Sequence, residues 1–217
     1  MNKQSGFTLI ELVIVVVILG ILAVTAIPKF LDLTDQAQSA NVEGMAGGFA
    51  TAISLVRSQW EAEGRPRSGT LNIVDYDGTR LLLTSESAAS GAAGTAGAVG
   101  AIRPGYVVSS DTTATGKDDL SGLDANDCVD IWENIFQQPP IITSTITDLD
   151  TNPAIDYFAD RSISGAVDTT LCHYYLTATL SQNATTGNFE APNGATNIGN
   201  SFTYQPANSA VRIFINN

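Results

Sequence analysis

The sequence predicts an α+β chain: a long N-terminal α-helix, membrane-spanning in its first half and amphipathic in its second, packed on an antiparallel β-sheet. Three observations predict it. Residues 7 to 27 form a run of 21 that is apolar except for Thr8, Glu11, Gly20 and Thr25. Behind it, Met45, Phe49, Ile53, Val56 and Trp60 recur at spacings of three and four, which is one face of a helix. From residue 70 onward come short runs of β-branched and aromatic residues, the composition of strands. The 217 residues suit one ordinary domain.

The first element decides the compartment. At a rise of 1.5 Å per residue, the run from Phe7 to Ile27 makes a helix of about 30 Å, the thickness of a bilayer's hydrocarbon core. No later stretch is comparable, so everything after Lys29 is expected on one side of the membrane. Cys128 and Cys172, the two cysteines, fit an exported domain with one disulfide, because an oxidising compartment lets such a pair persist. A secretory signal peptide ending at Val24-Thr25-Ala26 is one reading of the N-terminus, and a plain single-span anchor is another. Both leave Glu11 unexplained. A carboxylate inside a hydrophobic segment costs about 2.5 to 3.5 kcal/mol on the insertion scale. A disposable signal has no use for that cost.

The opening segment, Met1-Asn2-Lys3-Gln4-Ser5-Gly6-Phe7-Thr8-Leu9-Ile10-Glu11, resembles the signal of type IV prepilins: a short polar leader ending in Gly, then Phe-Thr-Leu-Ile-Glu opening an apolar helix. The resemblance covers about the first 30 residues. It implies the type IV pilin fold, cleavage by prepilin peptidase between Gly6 and Phe7, and N-methylation of Phe7. It also implies that Glu11 meets the N-terminal ammonium of a neighbouring subunit's Phe7 during assembly. Physical chemistry supports a role at that position independently, since a carboxylate in the first helical turn is favoured by the helix dipole. The bland alternative is that Glu11 snorkels to the headgroups at the membrane edge.

Gly20 and Pro28 are the weak points of this rod. Proline has no N–H for the preceding turn, and glycine is a poor helix former. The resemblance implies that the stretch between them melts on filament assembly; a simple kink at the membrane boundary is the alternative. Beyond Pro28 the amphipathic helix is expected to run over residues 29–63, terminated by Gly64, Arg65 and Pro66. Gly44, Gly47 and Gly48 inside it either admit close packing against a sheet or another subunit or are simply held by tertiary contacts.

Residues 64–217 are expected to form the globular head. Residues 70–84 read as a β-hairpin turning at Asp77-Gly78. Residues 88–101, rich in Ala and Gly, read as a surface loop or subunit-packing patch. Residues 107 to 168 hold twelve of the 22 acidic residues against Lys117 and Arg161, the mark of an acidic exterior. The stretch from Asp118 to Asp130 resembles a calcium loop in composition but matches no complete EF-hand pattern, so a solvated acidic loop is favoured. Within it, Ile131, Trp132, Ile135 and Phe136 make the apolar face of a short helix that Pro139-Pro140 ends. The segment Asp127 to Pro140, with Cys followed by Trp and a Pro pair, is similar to pilins of mannose-sensitive haemagglutinin type. Trp132 reads as a core anchor beside the disulfide rather than as a sugar-stacking platform. A Cys128–Cys172 bridge closes a loop of about 45 residues, worth roughly 4 kcal/mol in the chain-entropy model. The runs "LCHYYLTATL", "SFTYQ" and "AVRIFIN" continue the sheet past the bridge. That departs from the usual type IVa layout and leaves a receptor-binding loop unassigned.

The functional expectation follows from these parts and from what is missing. The net charge of −12 argues against nucleic acid, whose binders need basic residues to displace phosphate counterions. No catalytic motif is present: His173 is the single histidine, and Thr115-Gly116-Lys117-Asp118 lacks the rest of a phosphate-binding loop. Neither a cofactor nor a metal is expected. The sequon Asn183-Ala184-Thr185 is a weak hint of glycosylation. The resemblance implies a structural subunit that polymerises with copies of itself into a type IV pilus for adhesion. Its partners would be prepilin peptidase, the assembly machinery of the inner membrane, and surface glycans or phage. The chain would be single-pass in the inner membrane before assembly and in the extracellular fimbrium afterwards. A minor pilin or type II secretion pseudopilin is the first alternative, and a membrane-anchored or secreted carbohydrate-binding protein the second.

Overall fold

In the computed structural model, residues 7–85, 102–110, 116–164 and 167–216 are described. The Ala- and Gly-rich loop expected at 88–101 and the leader residues through Gly6 lie outside them. The chain divides into two compact units, Met1–Ala40 and Asn41–Asn217.

Helix α1 runs over Leu9–Ala62, through both Gly20 and Pro28. Its expected end at Glu63 is met within one residue. In the first unit the large apolar side chains from Phe7 to Leu33 are each 46% to 81% exposed. In the second unit Val42, Ala46, Phe49, Ile53, Val56 and Trp60 form a buried stripe, with Met45 packed at its edge. Of the three glycines, Gly44 and Gly47 have open space where a Cβ would stand, and Gly48 alone faces a neighbour, Phe136 at 3.7 Å. Close packing against a sheet therefore does not explain Gly44 or Gly47.

The single antiparallel sheet of the sequence reading is divided in two. Strands β1 (Arg67–Ser68), β2 (Leu71–Tyr76), β3 (Thr79–Leu83) and β4 (Val107–Ser109) follow one another in an antiparallel sheet. The β2–β3 hairpin turns where expected: Asp77 at φ 48° and Gly78 at φ 84° supply the two left-handed residues of a tight turn that matches strand twist. After helix α2 (Ala125–Ile135), β5 (Ile142–Thr143), β6 (Tyr157–Ser162), β7 (Leu171–Leu176), β8 (Ser201–Gln205) and β9 (Ala210–Phe214) form the second sheet in that order. All its pairs are antiparallel except β5 with β6. The 13 residues between Thr143 and Tyr157 are enough to return the chain to the same end of the sheet, as a parallel pair requires.

Phe49 is the hub of the core. Its ring lies 5.1 to 6.4 Å, centroid to centroid, from those of Trp132, Phe136, Tyr174, Phe202 and Tyr204. Such rings contribute both area and edge-to-face contacts, and each buried polar tip needs a partner. Trp132 Nε1 donates to the Pro140 carbonyl at 2.9 Å, and the Tyr174 hydroxyl donates to that of Cys128 at 2.9 Å. The Tyr204 hydroxyl donates to Val107 at 3.1 Å, which ties β8 of one sheet to β4 of the other. At Gly105, φ 95°, a Cβ would fall 2.6 Å from the Trp60 indole, so only glycine lets the chain cross that ring.

Strand β7 is buried on both faces. Cys172, Tyr174 and Leu176 enter the main core, while Tyr175 joins Leu149, Ile155, Phe158 and Leu180 in a second, smaller cluster. Segments before β6 and after β7 supply that cluster's far side.

Candidate functional site

Two regions hold the residues singled out by the sequence, one in each unit. In the first, Thr8 stands immediately before α1 and Glu11 in its first turn. The Glu11 N–H donates to Thr8 Oγ1 at 3.3 Å, and that hydroxyl donates to Glu11 Oε2 at 3.4 Å. This is a helix-capping arrangement of the Thr-x-x-Glu kind, legible in the sequence yet absent from the sequence reading. Glu11 thus has a local partner in Thr8. Phe7 is 75% exposed, and Gly6 lies outside the described residues. Helix α1 contains 18 consecutive residues of mean hydropathy 3.0, none of them buried. Water cannot be the natural surrounding of such a surface, because a contiguous exposed apolar patch of this size marks a membrane or protein contact.

In the second unit the disulfide joins Cys128 of α2 to Cys172 of β7, Cα to Cα 5.5 Å, with both residues fully buried. Helix α2 is held at its start by a reciprocal cap. Asp124 Oδ1 accepts from the Asn126 and Asp127 amides, and Asp127 Oδ2 accepts from the Asp124 amide at 2.8 Å. Asp127 also pairs with Lys117 Nζ at 2.5 Å and is only 1% exposed. That corrects one part of the sequence reading: the acidic stretch is not wholly a solvated loop, since Asp127 is a buried structural carboxylate. Its remaining described acids from Asp118 to Asp168 are at least partly exposed. Asp118 accepts from Ser85 Oγ, and Asp119 from the Ser121 amide. Among the described residues no group of three or more His, Cys, Asp or Glu side chains could hold a metal.

Trp132 is fully buried, as a core anchor should be. His173 is also buried. Its Nε2 lies 2.6 Å from Ser162 Oγ and its Nδ1 3.3 Å from the Tyr175 hydroxyl. Burial lowers its pKa to about 4, with Asp160 acting the other way. A Ser–His pair was not foreseen, because the two residues meet only through the β6–β7 register. It does not make a nucleophile, since the neutral imidazole is enclosed at 1% exposure. Asn183, the sequon residue, accepts from the Thr185 and Thr186 amides in a local turn.

The family model for the prokaryotic N-terminal methylation motif matches residues 1–27. A type IV narrow pilus major component of Thermus thermophilus is 50% identical over 64 residues, 30% of this chain and 53% of that protein. A type IV major fimbrial protein of Dichelobacter nodosus is 40% identical over 77 residues, 34% of this chain and 48% of its own length. The type II secretion system core protein G of Pseudomonas aeruginosa is 44% identical over 56 residues, 26% and 39% of the two chains. The chain thus spans about half the length, or less, of these relatives. No solved structure matches it. The methylation motif, the pilin relatives and a long N-terminal helix packed against antiparallel sheets together make this chain type IV pilin-like, with the likeness carried by its N-terminal helix.

Proposed function

We propose that the chain is a structural subunit of a type IV pilus, polymerising with copies of itself through its N-terminal helix into a surface filament used for attachment. The observation that carries this reading is the exposed apolar half of α1, which follows a methylation motif and holds one carboxylate in its first turn. Burying that surface between neighbouring helices supplies the driving force, at about 25 cal/mol per Å² of apolar area. Residues 1–6 are the leader, 7–28 the membrane and filament-core helix, 29–63 the amphipathic helix and 64–217 the head. Prepilin peptidase cuts between Gly6 and Phe7, Phe7 is N-methylated, and Glu11 meets the Phe7 ammonium of a neighbouring subunit. The stretch from Gly20 to Pro28 melts on assembly. The chain passes from the inner membrane, where the assembly machinery engages it, to the extracellular fimbrium. Surface glycans or phage are the partners of the finished filament. The subunit has no catalytic task.

N-terminal sequencing of the exported protein tests the processing: methylated Phe7 is expected, and Ile27 at the start would establish a secreted domain instead. Glu11→Ala is expected to leave processing intact and abolish filaments; normal filaments from that variant overturn the assembly role. The likeness to a type II secretion core protein favours one second reading, a pseudopilin or minor subunit. Mass spectrometry of sheared surface fibres separates the two. A major subunit is their main component, whereas a minor one is absent or scarce yet required for fibre formation.

A further inference from the structure

Strands β6 and β7 place Asp160, Ser162, His173 and Tyr175 on one face, because Asp160 stands opposite His173 and side chains alternate along each strand. The turn Pro192-Asn193-Gly194-Ala195 lies on that face. Asn193 at φ 51° and Gly194 at φ 72° form it, and the Ala195 amide closes it on the Pro192 carbonyl at 3.0 Å. A Cβ at Gly194 would fall 2.7 Å from Ser162 Cβ and 3.6 Å from His173 Nε2, so the turn rests directly on those two side chains. Two hydrogen bonds hold it down. The Gly194 amide donates to Asp160 Oδ2 at 2.8 Å, and the Tyr175 hydroxyl donates to the Ala195 carbonyl at 2.7 Å. The chain is anchored separately on either side. Before the turn the Glu190 amide donates to the Ser181 carbonyl at 3.0 Å; after it Asn216 Nδ2 donates to the Thr196 carbonyl at 3.0 Å and Ile198 packs on the smaller cluster. The turn can therefore lift without unravelling its flanks.

Hydrogen-bond accounting places the proton on the imidazole. The Tyr175 hydrogen goes to Ala195, so in the 3.3 Å contact His173 Nδ1 is the donor and the phenol oxygen the acceptor. Nε2 is then the acceptor and takes the Ser162 hydrogen at 2.6 Å. This arrangement suits a neutral ring, since a proton on Nε2 would meet the Ser162 hydrogen head on. Few titratable groups face the ring. On β6 there is Asp160, and on β7 Tyr175, whose phenol burial keeps neutral by raising its pKa. On β8 Thr203 stands opposite His173, with Arg212 of β9 beyond it, and residues 191–199 carry no ionisable side chain. Asp160 is thus the anion available to an imidazolium, as a directly opposed cross-strand neighbour. Its carboxylate already holds the Gly194 amide. A bond from a charged donor is about twice as strong as one from a neutral amide, so the protonated ring wins that competition. A charge sealed under the turn would also lack water, and lifting the turn hydrates it. We propose that the turn Pro192–Ala195 is an acid-released strap: protonation of His173 draws Asp160 from the Gly194 amide, and the turn lifts off β6 and β7 while the rest of the head stays folded. The device lies within the head and operates whether or not filaments form.

The test is amide hydrogen exchange by NMR on the full chain in a nonionic detergent from pH 7 to pH 3.5, corrected for intrinsic rates and run beside the imidazole nitrogen shifts of His173. Protection of the Gly194 and Ala195 amides is expected to fall by about tenfold or more with the midpoint of the His173 titration, while the β7–β8 ladder keeps its protection. His173→Gln is expected to hold Gly194 protection level across this range. Ser162→Ala removes the donor that requires Nε2 to be unprotonated and is expected to move the midpoint up by about 0.5 pH unit or more. Where His173→Gln does not fold, the Ser162→Ala midpoint decides. Gly194 protection unchanged through the His173 midpoint, loss in step with the β7–β8 ladder, the same acid loss in His173→Gln, or an unmoved midpoint in Ser162→Ala each overturns the strap.

Discussion

Helix α1 holds two regions with the same backbone and opposite surroundings. From Leu9 to Ile27 every large apolar side chain is exposed, and Glu11 is the one charged residue, so the helix is apolar on all sides. From Val42 to Trp60 the large apolar residues, Leu55 apart, fall on one stripe, and that stripe is buried but for Met45 at its edge. A stripe can be satisfied within one chain, because one face of a helix needs one surface to cover it. A helix apolar all round cannot, and needs lipid or several other helices. The first region is therefore built for an environment outside the chain and the second for the chain itself.

Four changes break or sharpen that contrast, from the largest effect to the smallest. Phe49→Ala removes the hub of five aromatic contacts and is expected to destabilise the head by about 3 to 5 kcal/mol. Val17→Ala, on the exposed half, is expected to stay within about 0.5 kcal/mol. Denaturant unfolding of the detergent-solubilised chain, followed by near-ultraviolet circular dichroism, measures both; equal losses would erase the distinction. Replacing Cys128 and Cys172 together by serine frees the intervening loop and is expected to cost about 2 to 5 kcal/mol, again in the head only. Reduction of the wild-type protein should match the double variant's midpoint.

The third change is pH. The neutral form of His173 is the one the fold accommodates, with its pKa lowered to about 4 by burial. The unfolded chain, with an ordinary histidine, takes up its proton first as pH falls. Stability from this group is thus complete above about pH 6.5 and is lost progressively down to about pH 4, by about 3 kcal/mol in all. His173→Gln is expected to remove that part of the pH dependence; an unchanged acid profile would show that carboxylates account for it instead. The N-terminal half of α1 has no histidine and should show no such dependence.

The smallest effects are at the two helix caps. Asp124→Ala removes the acceptor for two amides at the start of α2 and is expected to cost about 1 kcal/mol of head stability. Thr8→Ala removes the corresponding hydroxyl before α1 and should fray only the first turn, leaving the head's unfolding midpoint in place. Amide hydrogen exchange distinguishes these outcomes.

Much of this was readable in order along the chain. The unbroken apolar run located the first half of α1 and the three-and-four spacing the second, Asp77-Gly78 placed the hairpin, and the Pro pair follows the end of α2. Other features were hidden because they depend on partners far away in sequence. Asp127 looked like one more surface acid until Lys117 and the Asp124 amide were seen to enclose it. Ser162 and His173 meet across a strand pair, and Tyr204 reaches Val107 across 97 positions.

The sequence by itself determined where helix and turn would form and which segment could not be satisfied within one chain, since these follow from spacing between near neighbours. Only the tertiary structure decided that the strands divide into two sheets, that β5 runs parallel to β6, and that one aspartate of an acidic run is buried. The physical reason is that strand pairing and charge burial are set by long-range contacts, whose partners no local pattern names.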